Sequence, residues 1–194
     1  MSRHKSYDPA AVTEAAMMQF WHRGFYATSI ADLVTATGVA KHGLYAEFGD
    51  KHGMFASAME AYFEQVVTPA FARVEAVGAG IAEIADYFEA QIRLAEQGGL
   101  PGPGCLVANT MVEAGPHEDR FAQFVARHLD RLAAGFANAL QSLASRGFDV
   151  EAEARFLTIS TQGLWSVSRT VRDGAELRAY VERLLKPYQE ALAP

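Results

Sequence analysis

The sequence predicts an all-α fold of about nine helices, and three observations predict it. Alanine, leucine, glutamate and arginine dominate; Val/Ile/Thr clusters at strand spacing are missing; no internal repeat or low-complexity tract interrupts the helical patterning. With 194 residues, 50% of them hydrophobic, the chain is long enough for one sizeable core or for two small domains sharing a helix. No apolar run approaches the roughly 18 to 20 residues of a membrane span, and the start MSRHKSYDPA lacks a secretory apolar core, so a cytoplasmic location with no membrane partner is expected. The single cysteine, Cys105, excludes an internal disulfide and a cysteine zinc site.

The first helix is expected from Asp8 to Arg23. Pro9 suits its first turn, Val12, Ala16 and Phe20 make an apolar stripe, and Gly24 ends it. Phe25 then folds back on that stripe. Ser29 and Asp32 have capping-box spacing before Ile30-Ala31-Asp32-Leu33-Val34, which opens a short second helix that stops at Gly38. A third helix spans Lys41 to Glu47, only about two turns, a length suited to a DNA major groove. With Leu44 and Phe48 turned inward, His42 and Ala46 point most directly outward, flanked by Gly43 and Tyr45, with Lys41 at the edge. Lys51 sits in the first turn of a fourth helix capped by Asp50, where a cation opposes the helix dipole and calls for an anion such as phosphate.

Charge distribution agrees with a DNA-facing end. The net charge is -6, which argues against indiscriminate coating of nucleic acid. Residues 1–53 balance five Lys/Arg (Arg3, Lys5, Arg23, Lys41, Lys51) against five acids, so the whole excess of negative charge follows residue 53. Four of the six histidines also fall in that first segment.

The string Phe20-Trp21-His22-Arg23-Gly24-Phe25-Tyr26-Ala27-Thr28-Ser29-Ile30, continued by Gly38-Val39-Ala40-Lys41-His42-Gly43-Leu44-Tyr45-Ala46-Glu47-Phe48-Gly49-Asp50-Lys51, resembles the DNA-binding domain of the TetR (tetracycline-repressor) family. The resemblance covers residues 8–62. It implies a helix-turn-helix DNA-binding domain at 1–53 and a helical ligand-sensing and dimerisation domain at 54–194. It further implies that Thr28, Tyr45 and Lys51 contact phosphates while Lys41, His42 and Gly43 face base edges of a palindromic double-stranded operator. Ala40 stands where the family commonly has a serine cap, and His42 is an unusual occupant, so no operator preference transfers.

Beyond residue 50 the patterning continues. A long linking helix is expected at 51–77, bent near Pro69, followed by helices at 81–97, 105–114, 118–145, 151–173 and 176–192. Glycines and prolines at 98–104 break the chain between two of them. The resemblance implies that the last two helices pair with those of a second subunit, through stripes at Phe156, Ile159, Gly163, Leu164 and Val167, and at Leu177, Val181, Leu184, Leu185 and Tyr188.

Gly104-Cys105-Leu106-Val107-Ala108-Asn109 resembles the G-C-L-x-x-N segment of a TetR subgroup with electrophile- or oxidant-responsive members. A thiol at a helix start beside glycines is expected to be exposed, with the dipole favouring its thiolate modestly; the competing reading is a small buried hydrophobe. A small-molecule pocket is expected among 81–173, with Phe88 and Trp165 in its walls and Asn109 and Gln162 as polar anchors beside Cys105. No metalloprotease, P-loop or dinucleotide motif occurs, so neither an enzyme nor a cofactor is expected. The chain reads as a regulator released from DNA by a small molecule or electrophile. The alternative is a small-molecule binding module of the same fold without DNA binding.

Overall fold

The computed structural model describes residues 7–193; Arg3, His4 and Lys5, counted in the charge balance above, lie outside the described residues. Among those described, counting one unbroken stretch as a single rod, nine helical rods form and no strand. α1 runs Pro9–Arg23, α2 Ile30–Thr37 and α3 Lys41–Phe48. Local chemistry sets their ends. Asp8 accepts from the Ala10 amide at 3.0 Å ahead of Pro9, and Ser29 and Asp32 form the reciprocal capping box at 3.1 and 2.8 Å. Gly38 adopts left-handed φ 69°, ψ 5°, which a side-chain-bearing residue resists, and so turns α2 sharply toward α3. Val12, Ala16, Phe20, Phe25, Leu33, Val39 and Leu44 close the core of this unit.

α4 (Lys51–Tyr62) passes through a π turn at Phe63–Val67 into α5 (Thr68–Glu75) without a break. The π turn lies directly ahead of Pro69. Proline cannot donate to the carbonyl four residues back, and widening the preceding turn accommodates the missing bond. The first half of α4 packs on α1, with the Phe20 and Phe55 rings edge-on at 5.0 Å. The linking helix is therefore also a wall of the helix-turn-helix unit.

The body follows as α6 (Ile81–Gly98), α7 (Leu106–Glu113), α8 (Asp119–Leu140), α9 (Val150–Val167) and α10 (Gly174–Leu192). α8 gives way to a 3-10 turn at Gln141–Arg146, within the span expected to be one helix. α9 stops six residues earlier than expected. Beyond it, Ser168 and Thr170 turn their hydroxyls onto the carbonyls of Trp165 and Val167, competing with continued helix. α8 packs against both α9 and α5, and α10 lies along α6. There Arg178 joins Glu89 and Glu96 at 2.9 and 2.8 Å.

The two stripes expected to meet a second subunit have different fates. On α9, Phe156, Ile159, Gly163 and Val167 are exposed, while Leu164 is buried. On α10, Leu177, Val181, Leu184, Leu185 and Tyr188 are all buried within the single chain. The α10 expectation is thus corrected: its apolar face is consumed by intramolecular packing.

Candidate DNA interface and effector cavity

α3 presents the surface expected of it in part. Lys41, His42, Tyr45 and Ala46 are exposed, and the Lys41 ammonium lies 5.4 Å from the centre of the Tyr45 ring. Gly43 is half-buried, and a Cβ there would come within 2.8 Å of Val39 and 3.7 Å of Tyr7. Its lack of a side chain serves close packing at the turn. Tyr7, which sequence reasoning missed, reaches over α3 with its hydroxyl 3.4 Å from the Gly43 carbonyl and from the Glu47 carboxylate.

Thr28 departs from the expectation of a phosphate contact. It is fully buried, and its hydroxyl donates to the Gly24 carbonyl at 2.7 Å, closing the turn between α1 and α2. A buried, already bonded hydroxyl cannot meet a phosphate. Lys51 is half-buried, with its ammonium 4.4 Å from the centre of the Phe25 ring. Burial lowers its pKa, opposed by the negative charges of Glu113 and Asp32. From the start of α4 it reaches the α1–α2 turn, and in this arrangement its charge faces protein.

That turn is held from the body by a second group absent from the sequence reading. Glu113, the last residue of α7, accepts from the backbone amides of Phe25 and Tyr26 at 3.0 and 2.8 Å. α1 is tied to the body again by Trp21, whose Nε1 donates to the Gly104 carbonyl at 2.8 Å and whose ring meets Tyr62 edge-on at 4.9 Å.

Beside the Trp21–Gly104 tie lies a cavity of about 690 Å³. Its walls come from α1, from the α4–α5 rod, from α6 and the 98–105 loop, from α8 and from the end of α9. Cys105 and Trp165, both singled out in the sequence, line it. Phe88 and Asn109 do not. Phe88 is fully buried against Phe136 and Tyr87, and Asn109 donates to the Pro103 carbonyl at 2.9 Å, pinning the loop. Gln162 is buried with its amide unpartnered, yet lies off the cavity wall.

Of the two readings of Cys105, exposed thiol or small buried residue, the second holds: it is 7% accessible at the α7 N-cap position. Burial pushes its thiol pKa up; the Val107 and Ala108 amides and the Tyr62 hydroxyl pull the other way without prevailing. The thiol is un-ionised and faces the cavity rather than bulk water. His128, on the same walls, was not anticipated. It is 5% exposed, its Nδ1 has no partner, and burial, with the Arg131 charge nearby, pushes its pKa down to about 4. Its spacing, four residues from both Phe124 and Leu132, puts it on the buried face of α8, but what that face meets is a tertiary outcome.

A tight left-handed turn setting a two-turn helix outward on a helical body is the form of a helix-turn-helix unit, and similarity to known proteins places it among transcriptional regulators. Residues 12–58 match the model of bacterial regulatory proteins of the tetR family. The HTH-type transcriptional repressor ComR of Escherichia coli K12 is 31% identical over 189 residues, covering 93% of this chain and 87% of ComR. YezE of Bacillus subtilis 168, an uncharacterised HTH-type transcriptional regulator, is 28% identical across 94% of this chain and 96% of its own length. The chain belongs to the tetR family of bacterial regulatory proteins. Its fold is that of the TetR-family regulator CifR, solved as a cysteine mutant on a 26-base-pair operator, with a TM-score of 0.82 at 22% identity over 96% of this chain and 100% of that one.

Proposed function

We propose that this chain is a cytoplasmic homodimeric repressor that reads a palindromic operator through α3 and leaves it when a small molecule or electrophile enters the cavity. The observation that carries the reading is the exposed row Lys41, His42, Tyr45 and Ala46 on a helix short enough to lie in a major groove. Lys41 and His42, with the Gly43 backbone, would face bases. Tyr45 would hold a phosphate, joined by Lys51 if its ammonium swings off Phe25. Thr28 takes no part.

One such helix reads few bases, and the two-fold symmetry of a dimer supplies the second. The exposed apolar run Phe156, Ile159, Gly163 and Val167 on α9 supports that pairing: the large side chains would lose contact with water, and nothing lies within 4 Å of where a Cβ would stand on Gly163.

Release follows from shared walls. α7 begins at the cavity with Cys105 as its cap and ends at Glu113 on the α1–α2 turn, while Trp21 of α1 bonds the Gly104 carbonyl beside Cys105. An occupant that shifts Gly104 or α7 therefore moves the helix-turn-helix unit. The shift requires that the occupant favour the arrangement unable to bind DNA, since equal affinity for both changes nothing.

A mobility-shift assay on DNA upstream of the gene, at moderate salt, tests the reading. A specific complex with the intact protein is expected; none across that DNA contradicts it.

A further inference from the structure

The cavity that joins α1 to the body has a chemistry that narrows what it can hold. Among the described residues, no Lys, Arg, Asp or Glu lies on its walls. The walls are largely aromatic and aliphatic, with Trp21 and Trp165, the two tryptophans of the chain, beside Tyr62 and Tyr87, and the polar side chains among them, such as Gln65, Gln91 and Ser168, carry no formal charge. An ion brought into such a site gives up part of its hydration and meets no counter-charge on the walls, which disfavours it relative to a neutral molecule of the same shape. The volume of about 690 Å³ falls within the roughly 300–1,000 Å³ typical of small-molecule sites.

One polar atom is left over. His128 is buried on the cavity wall, and its Nδ1 meets no hydrogen-bond partner. Buried polar atoms are almost always satisfied, so an orphan on a residue that lines a cavity invites a partner from outside the chain. Burial pushes the imidazole pKa down to about 4, so the ring is neutral near pH 7. A neutral imidazole has one donor and one acceptor nitrogen, and a hydroxyl can satisfy either.

We propose that the cavity takes an uncharged, ring-containing molecule bearing a hydroxyl, with His128 Nδ1 receiving that hydroxyl and the aromatic walls holding the ring. The proposal rests on the reading of this cavity as the effector site, and it names the chemistry of that effector.

Calorimetric titration of the full-length protein at pH 7 with 2-naphthol, naphthalene and 2-naphthoate tests it. The three share a ring system and differ in carrying a hydroxyl, no polar group, or a negative charge. The wild type should bind 2-naphthol about tenfold more tightly than naphthalene, the worth of one buried hydrogen bond. It should bind 2-naphthoate more weakly than either. In His128→Leu, naphthalene binding should persist and the hydroxyl's advantage should vanish. That variant should fold, because it replaces an unpaired buried polar group by an apolar one, and its naphthalene binding reports that the cavity is intact. Equal affinity for naphthol and naphthalene in the wild type, an undiminished advantage in His128→Leu, naphthoate binding as tight as naphthol, or no binding of any of the three would each overturn the proposal. The effector reading fails separately: naphthol bound as expected while the DNA complex stays intact would leave the site chemistry standing and remove its role in release.

Discussion

Removing the Glu113 carboxylate should loosen the helix-turn-helix unit from the body. The side chain accepts two backbone amides of the α1–α2 turn, Phe25 at 3.0 Å and Tyr26 at 2.8 Å. Each hydrogen bond to a charged group contributes about 1.5–3 kcal/mol when buried. The Tyr26 bond is exposed and the Phe25 bond only part-buried, so water replaces much of what is lost and about 2–3 kcal/mol remains for Glu113→Ala. For a chain of this size that corresponds to a fall in melting temperature of about 4–12 °C. Glu113→Gln, which keeps an acceptor oxygen without the charge, should lose about half as much. Thermal unfolding followed by far-ultraviolet circular dichroism reads both. A melting temperature for Glu113→Ala within about 1 °C of wild type would refute the clamp.

Other consequences follow from particular side chains. Because the His128 pKa is about 4 in the folded chain and about 6.5 when unfolded, only the unfolded chain takes up the proton as pH falls through that window. Stability attributable to this residue should fall by up to about 3 kcal/mol between pH 6.5 and 4, and urea unfolding of His128→Leu should show that much less acid sensitivity; parallel pH profiles for the two proteins would contradict it. Tyr45→Phe removes one phosphate-directed hydroxyl and should weaken every DNA site about fivefold without altering base preference, measured by fluorescence anisotropy; a sequence-dependent loss would move Tyr45 to base readout. Cys105→Ser should slow release of DNA by a quinone. Since the wild-type thiol is buried and un-ionised, that release should itself be slow and limited by entry to the cavity. Equal release of both proteins would remove Cys105 from the mechanism.

The helix-turn-helix was legible because its determinants are local. Asp8-Pro9, Ser29 with Asp32, and Gly38 each act within four residues of themselves, and each behaves as its spacing predicts. Thr28 marks where local reasoning fails: a hydroxyl ahead of a helix can face outward to a ligand or back to a carbonyl, and here the Gly24 carbonyl takes it. The cavity was legible only in outline. Trp165 and Cys105 line it, but Phe88 and Asn109 have the same kind of pattern and went elsewhere, because an amphipathic helix says which face is buried and not against what. The α10 stripe failed for the same reason. Glycines around Cys105 suggested exposure, yet Trp21 of α1 bonds the Gly104 carbonyl and Cys105 itself is buried. Glu113 carries no sequence signal, and His128 shows only that it shares the buried stripe of Phe124 and Leu132, since the roles of both depend on helices distant in the chain.

Selection of binding sites from a random DNA library, by wild type and by His42→Ala in parallel, tests the central claim most directly. If α3 reads bases in a symmetric dimer, the wild type recovers a palindrome, and His42→Ala changes preference at the same position of both half-sites while the rest is kept. A non-palindromic site, or an identical preference from both proteins, would contradict the account.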